Sequence, residues 1–226
     1  MDAQATHNGR REVDIDIGPL RLSGSVGLPS RARGVVVFAH GSGSGRFSPR
    51  NQFVARMLER EGWATVLFDL LTAQEEEAER LSRHLRFDID LLAGRLAGAT
   101  HWLATQDDLV SLPIAYFGAS TGAAAALVAA TQPDAPSIAA VVSRGGRPDL
   151  AGPALAQVRA PTLLIVGSRD TQVIDLNQLA LVQLRGVAEL QLVRGASHLF
   201  VEPGTLEAAA GLAVDWFGRH MPAGPP

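Results

Sequence analysis

Five residues carry a spacing with chemical meaning: Gly118-Ala119-Ser120-Thr121-Gly122. A serine hydroxyl is a weak nucleophile and needs a base beside it, together with donors for the oxyanion it creates. The pattern G-x-S-x-G supplies that geometry when a sharp turn carries a strand into a helix. Here the strand-length run Pro113-Ile114-Ala115-Tyr116-Phe117 precedes it and an alanine-rich helical stretch follows. A serine at the tip of such a turn sits in a sparsely populated backbone region that costs roughly 1–3 kcal/mol. The turn brings together the chain two residues before and two residues after the serine. Glycines at 118 and 122 remove the Cβ atoms that would collide there. Ser120 would then stand exposed above the sheet, at the positive end of a helix.

The base and its orienting acid follow the serine in chain order in this version of the site. Only His198 and His220 follow a suitable acid, and His220 closes the last helix, where a capping cation is the expected role. His198 falls in a short loop between the strand Leu190-Gln191-Leu192-Val193 and the final helix, so we take it as the base. Asp170, in the turn after Leu163-Leu164-Ile165-Val166, is the preferred acid. Asp149 is the rival for that role, and Asp69 precedes Ser120 and has the wrong order. One oxyanion donor is expected from the Thr121 backbone and a second from the glycine-rich loop His40-Gly41-Ser42-Gly43, with Ser42 the choice. His40 itself is expected to brace its loop.

Composition excludes several other chemistries. The chain has no cysteine, and all 20 of its basic residues are arginine. Thiol catalysis, disulfides, thiolate metal sites, Schiff-base lysines and the P-loop lysine are therefore unavailable. The histidines are scattered without metal-ligand spacing, so neither a metal nor a cofactor is expected. A formal charge of −3 favours neither nucleic acid nor an anionic membrane as partner. The polar first residues and the lack of a membrane-length apolar run predict a soluble, cytoplasmic protein.

The elements that must position these residues follow from periodicity. Residues 12–17 and 20–28 alternate polar and apolar around Gly18-Pro19, which predicts an antiparallel hairpin at a sheet edge. The runs at 35–39, 65–69, 114–117, 138–142 and 162–166 are continuously apolar, as strands buried on both faces are, and 190–193 closes the series. Helical patterns at 51–61, 89–105, 121–130, 175–184 and 206–220 separate the strands. The alternation predicts an α/β, doubly wound, mostly parallel eight-stranded sheet with helices on both faces and no large lid. At 226 residues the chain fits one domain, placed at 11–220 between flexible tails at 1–10 and 221–226. Chemistry in such a sheet gathers at the carboxyl ends of the strands, where Ser120, Asp170 and His198 all fall.

Arginines crowd the same rim: Arg46, Arg50, Arg144 and Arg147. Pairing with Glu75-Glu76-Glu77 or other carboxylates is their ordinary fate. The sharper reading is that Arg46 and Arg144 hold a substrate carboxylate or phosphate, with Arg144 the better placed.

The elbow at 118–122, the His40-Gly41 loop, Asp170 and His198 together resemble the α/β-hydrolase superfamily over nearly the whole chain. The size resembles its dienelactone-hydrolase-like branch. The stretches at 40–51 and 142–149 are similar to a bacterial subgroup also found fused to phosphoribosyltransferase domains. The resemblance implies Ser120 as nucleophile, Asp170 as acid and His198 as base. It departs at the nucleophile, because dienelactone hydrolase proper uses cysteine where this chain has Ser120. The expected function is hydrolysis of small soluble esters, lactones or thioesters. A peptidase or amidase, an acyltransferase, and a non-catalytic binding module that kept the fold stand as alternatives. The oligomeric state is not legible.

Overall fold

The continuous apolar runs form the centre of a sheet because both of their faces find cover. In the computed structural model, which describes residues 6–7 and 10–221, nine strands pair in the order β1-β2-β3-β5-β4-β6-β7-β8-β9. The first, β1 (Thr6–His7), has two residues, and the other eight are the strands expected from sequence. Strands β2 (Arg10–Ile17) and β3 (Leu20–Gly27) make the antiparallel hairpin, and β3 continues antiparallel onto β5 (Ala64–Phe68). From there β4 (Val35–Ala39), β6 (Ile114–Ala119), β7 (Ile138–Arg144), β8 (Thr162–Gly167) and β9 (Ala188–Val193) run parallel to β5.

Alternate residues of one strand serve opposite layers. Val35, Val37 and Ala39 pack with α3 (Ile89–Leu103) and α4 (Thr121–Ala129), while Val36 and Phe38 pack with α1 (Pro49–Arg60) and α6 (Thr205–His220). A fully buried side chain of this kind contributes about 1.5–3 kcal/mol, which favours continuous apolar runs over alternation in these strands. The last helix of the set, α5 (Thr171–Leu181), follows β8. Between β7 and β8 the chain inserts only a kinked 3₁₀ segment, Pro148–Gln157.

Strands β5 and β6 lie on opposite sides of β4, so the connections leave the sheet in opposite directions beside it. A crevice opens at such a reversal, outside the carboxyl ends of the strands. Ala39 is in register with Gly118 across β4 and β6, which puts the His40 loop and the Ser120 turn side by side there.

Three expectations need correction. Helix α2 (Ala73–Ser82) was read only as an acidic surface run; Thr72 and Glu75 form a reciprocal capping box that starts it. Helix α5 begins at Thr171 rather than 175, directly after Asp170, which stands at its N-cap position without a side-chain capping bond. The tail expected at 1–10 gives way to strand: Thr6–His7 pairs with Arg10 and Arg11, and Arg10 is buried. Residues 1–5, 8 and 9 of that tail lie outside the described residues. Met221 is likewise buried, and 222–226 of the second tail lie outside the described residues.

Candidate active site

Ser120 takes φ 52° and ψ −123° between β6 and α4, a backbone conformation that a side-chain-bearing residue rarely adopts. The two glycines explain how the turn closes. A Cβ on Gly118 would lie 2.4 Å from the Ala123 Cα, which is the self-approach expected from the motif. A Cβ on Gly122 would instead meet the carbonyl oxygens of Ala39 and His40 at 2.2 and 2.5 Å. The second glycine therefore serves the neighbouring strand, letting the helix start press against the end of β4.

Asp170 and His198 are brought together by their loops. The Ser168 and Arg169 N–H groups donate to Val193 O and Ala196 O, both at 3.0 Å, and Gly195 N–H donates to Ser168 Oγ at 2.8 Å. A Cβ on Gly167 would lie 2.4 Å from Ala196 O, so only glycine permits this approach. Across the seam His198 Nδ1–H donates to Asp170 Oδ2 at 2.6 Å. A carboxylate only accepts, so this bond places the proton on Nδ1 and leaves the Nε2 lone pair free. Glu202 steadies the histidine loop by accepting from Ser197 N–H at 2.9 Å and from its hydroxyl at 3.2 Å, and these bonds hold its carboxyl below the usual range. The rival acid is engaged elsewhere: Asp149 accepts two bonds from Arg147, at 2.8 and 2.7 Å, and the Arg147 guanidinium is raised by them.

Ser120 and His198 line one cleft of about 270 Å³ with Gly41, Ser42, Arg50 and Arg144. Among the described residues no hydrogen bond joins Ser120 to His198; in sites of this type that contact tightens when substrate arrives. Ser42 Oγ and Thr121 Oγ1 are 3.1 Å apart, tying the two expected oxyanion donors to each other. Thr121 opens α4, so its N–H has no intrahelical acceptor. His40 braces the loop, as expected. Its Nδ1–H donates to Gly41 O at 3.0 Å and its Nε2 accepts from Leu70 N–H at 3.0 Å, while burial pushes the ring below its usual pKa.

The arginines divide differently from expectation. Arg46 is spent on Asp69, at 2.5 Å through its guanidinium and 2.8 Å through its N–H, with Glu12 at 3.6 Å. It does not line the cleft, and this corrects its placement as a substrate contact. Arg144 lines the cleft, and so does Arg50, which sequence placed on the rim without singling it out. The signal for Arg50 was Ser48-Pro49, a helix start that puts it on the first turn of α1. A wider groove of about 760 Å³ between β2 and α3 contains none of these groups. Among the described residues no cluster of histidine and carboxylate is placed to hold a metal.

A strained serine at a strand–helix elbow, in a parallel sheet of this order, defines a class, and comparison agrees. Residues 32–210 match the family model described as an alpha/beta hydrolase domain, and the chain belongs to that family. Within it the chain falls in the dienelactone-hydrolase-like branch. Its structure superimposes on a dienelactone hydrolase from Anabaena variabilis with a TM-score of 0.90 at 53% identity, over 95% of this chain and 100% of that one. A Mycobacterium tuberculosis protein, named only provisionally as a phosphoribosyl transferase, is 57% identical over 210 residues, which is 93% of this chain and 46% of the relative. The chain thus spans about half the length of the curated relatives it matches. A Xanthomonas campestris protein described as a serine hydrolase without lid shares the fold at a TM-score of 0.74 and 20% identity, over 97% of this chain and 99% of that one. No helix among the described residues is long and apolar enough to cross a membrane.

Proposed function

We propose that this hydrolase is serine-dependent and cleaves carboxylic esters, lactones or thioesters of small substrates. The observation that carries the reading is the Asp170–His198 hydrogen bond of 2.6 Å in the same cleft as the strained Ser120. Ser120 Oγ attacks the carbonyl carbon while His198 Nε2 takes its proton. The charge that develops on the carbonyl oxygen is met by the Thr121 and Ser42 N–H groups, each such donor contributing roughly 2.7–4 kcal/mol to the transition state. His198 then gives its proton to the departing alcohol or thiol, and an acyl group remains on Ser120. Water, deprotonated by the same imidazole, releases the acid and restores the serine. Asp170 keeps the imidazole in the useful tautomer and stabilises its charged form.

The short connection between β7 and β8 and the small cleft support soluble substrates over aggregated lipid. The transferase name belongs to a relative twice as long, and we assign to this region only the hydrolase. Turnover of p-nitrophenyl esters from acetate to octanoate tests the reading. Rates should fall with chain length, and His198→Ala should lose them by several orders of magnitude, on the order of 10⁶ when nucleophile and base act as a unit. Turnover that survives His198→Ala, or a rate jump on micellar long-chain ester, would contradict it.

A further inference from the structure

Buried charges in proteins are paired, because an unpaired ion inside costs far more than it returns. Arg144 breaks that rule. It is 7% exposed at the carboxyl end of β7, and no carboxylate lies within 4 Å of its guanidinium among the described residues. Among the described residues its only side-chain hydrogen bond is Nη2–H to Asn51 Oδ1 at 3.3 Å, and its Nε and Nη1 are buried without partners. The Phe200 ring at 5.7 Å gives modest relief. A like charge makes matters worse: burial first, and then Arg50, lower the Arg144 pKa to about 10. Arg50 also has no carboxylate partner, and its Nε is buried and unsatisfied.

Two guanidinium groups therefore stand together on one wall of the cleft with no counter-charge. Their surroundings add to the positive field. Arg50 sits on the first turn of the 12-residue helix α1, whose amino end faces the cleft through Ser48 and Asn51. Arg46, a few residues earlier, has its charge met by Asp69 and Glu12, so carboxylates were within the reach of this loop. The wall adjoins the reacting group, since Ser120 N–H donates to the Arg144 carbonyl at 3.4 Å.

We propose that Arg50 and Arg144 form an oxyanion-binding subsite, so that the preferred substrate carries a carboxylate or phosphate a short distance from the carbonyl that Ser120 attacks. The ester chemistry rests on the proposed function, whereas the anion subsite does not depend on turnover. An incoming oxyanion supplies the missing counter-charge and charge-assisted acceptors for the fork. Neutral esters of the same length bind without that contribution and leave the two arginines facing each other.

Two measurements on the full chain test this. In the first, kcat/KM for p-nitrophenyl hemiglutarate is compared with that for p-nitrophenyl butyrate in wild type, Arg144→Met and Arg50→Gln. Wild type should favour the hemiglutarate by about tenfold or more, the ordinary effect of a hydrogen bond to a charged group, and each variant should lose most of that ratio. In the second, Ser120→Ala is titrated calorimetrically with glutarate and with inorganic phosphate at constant ionic strength. Saturable binding of either, weakened about tenfold or more by adding Arg144→Met or Arg50→Gln, supports the subsite. Whichever anion binds more tightly identifies the acid group. Arg50, partly exposed, supplies the variant least able to disturb folding. If wild type hydrolyses neither ester but Ser120→Ala still binds an anion through the arginines, the subsite stands and the hydrolase reading falls. If neither anion binds and the ester ratio stays near one in all three proteins, the subsite is overturned.

Discussion

Two arginines, almost equally buried, stand at opposite ends of the sheet. Arg10 is 6% exposed beside the amino ends of the parallel strands, and Arg144 is 7% exposed at their carboxyl ends. Each guanidinium nitrogen of Arg10 has a partner within its own network. It pairs with Glu59, and it donates to Ser25 Oγ at 3.2 Å, Thr65 Oγ1 at 2.9 Å and Thr65 O at 3.1 Å. Arg144 has one neutral acceptor and a second arginine beside it. The same residue type, equally removed from water, is a structural tie at one end and an unmet charge at the other. The difference marks where this molecule spends stability to recognise something else.

The largest effect belongs to the carboxyl end and should leave the fold alone. Asp170→Asn is expected to reduce kcat by on the order of 10⁴, because the imidazole loses its tautomer control, while the denaturation midpoint changes little. Steady-state rates set beside urea unfolding check this, and an equal loss of stability would erase the contrast between the two ends. At the amino end the balance reverses. Arg10→Met leaves Glu59 without its cation and should cost roughly 3 kcal/mol in urea unfolding, with activity per folded molecule preserved. Arg144→Met removes a charge that nothing in the chain neutralises, so its unfolding midpoint should equal or exceed that of wild type. A loss there comparable with that of Arg10→Met would make Arg144 a structural tie as well.

The smallest effect depends on pH. His40 is buried in its neutral form, with Leu70 N–H pointing at Nε2, so an added proton there has no acceptor. Its folded pKa lies below the ordinary value of 6.5. Its contribution is therefore complete above that value and is lost as pH falls through the lower folded one. Urea unfolding of wild type and His40→Gln between about pH 7.5 and about pH 5 should show the wild type losing its advantage toward acid.

Much of this was legible in the sequence, for local reasons. The strand ends followed from continuous apolar runs, and the elbow followed from glycine spacing that only a tight turn requires. The meeting of Asp170 with His198 was legible because chain order and strand ends restrict the choice. What was not legible depended on partners distant in sequence. Arg10 looked like tail because Glu59 and Thr65, which bury it, are about fifty residues away. Arg46 was preferred to Arg50 because Asp69, which claims it, lies 23 residues further along the chain. Helix α2 was hidden by its acidic run, although Thr72 and Glu75 carried its starting signal.

The central claim is that Ser120 is an activated nucleophile. The most direct measurement is intact mass after exposure of the purified chain to a fluorophosphonate, run beside Ser120→Ala and Asp170→Asn. One adduct is expected on the wild type, located at Ser120, with none on Ser120→Ala and slow labelling of Asp170→Asn. A folded wild type that takes no adduct, or a Ser120→Ala protein that labels as fast as wild type, would contradict it.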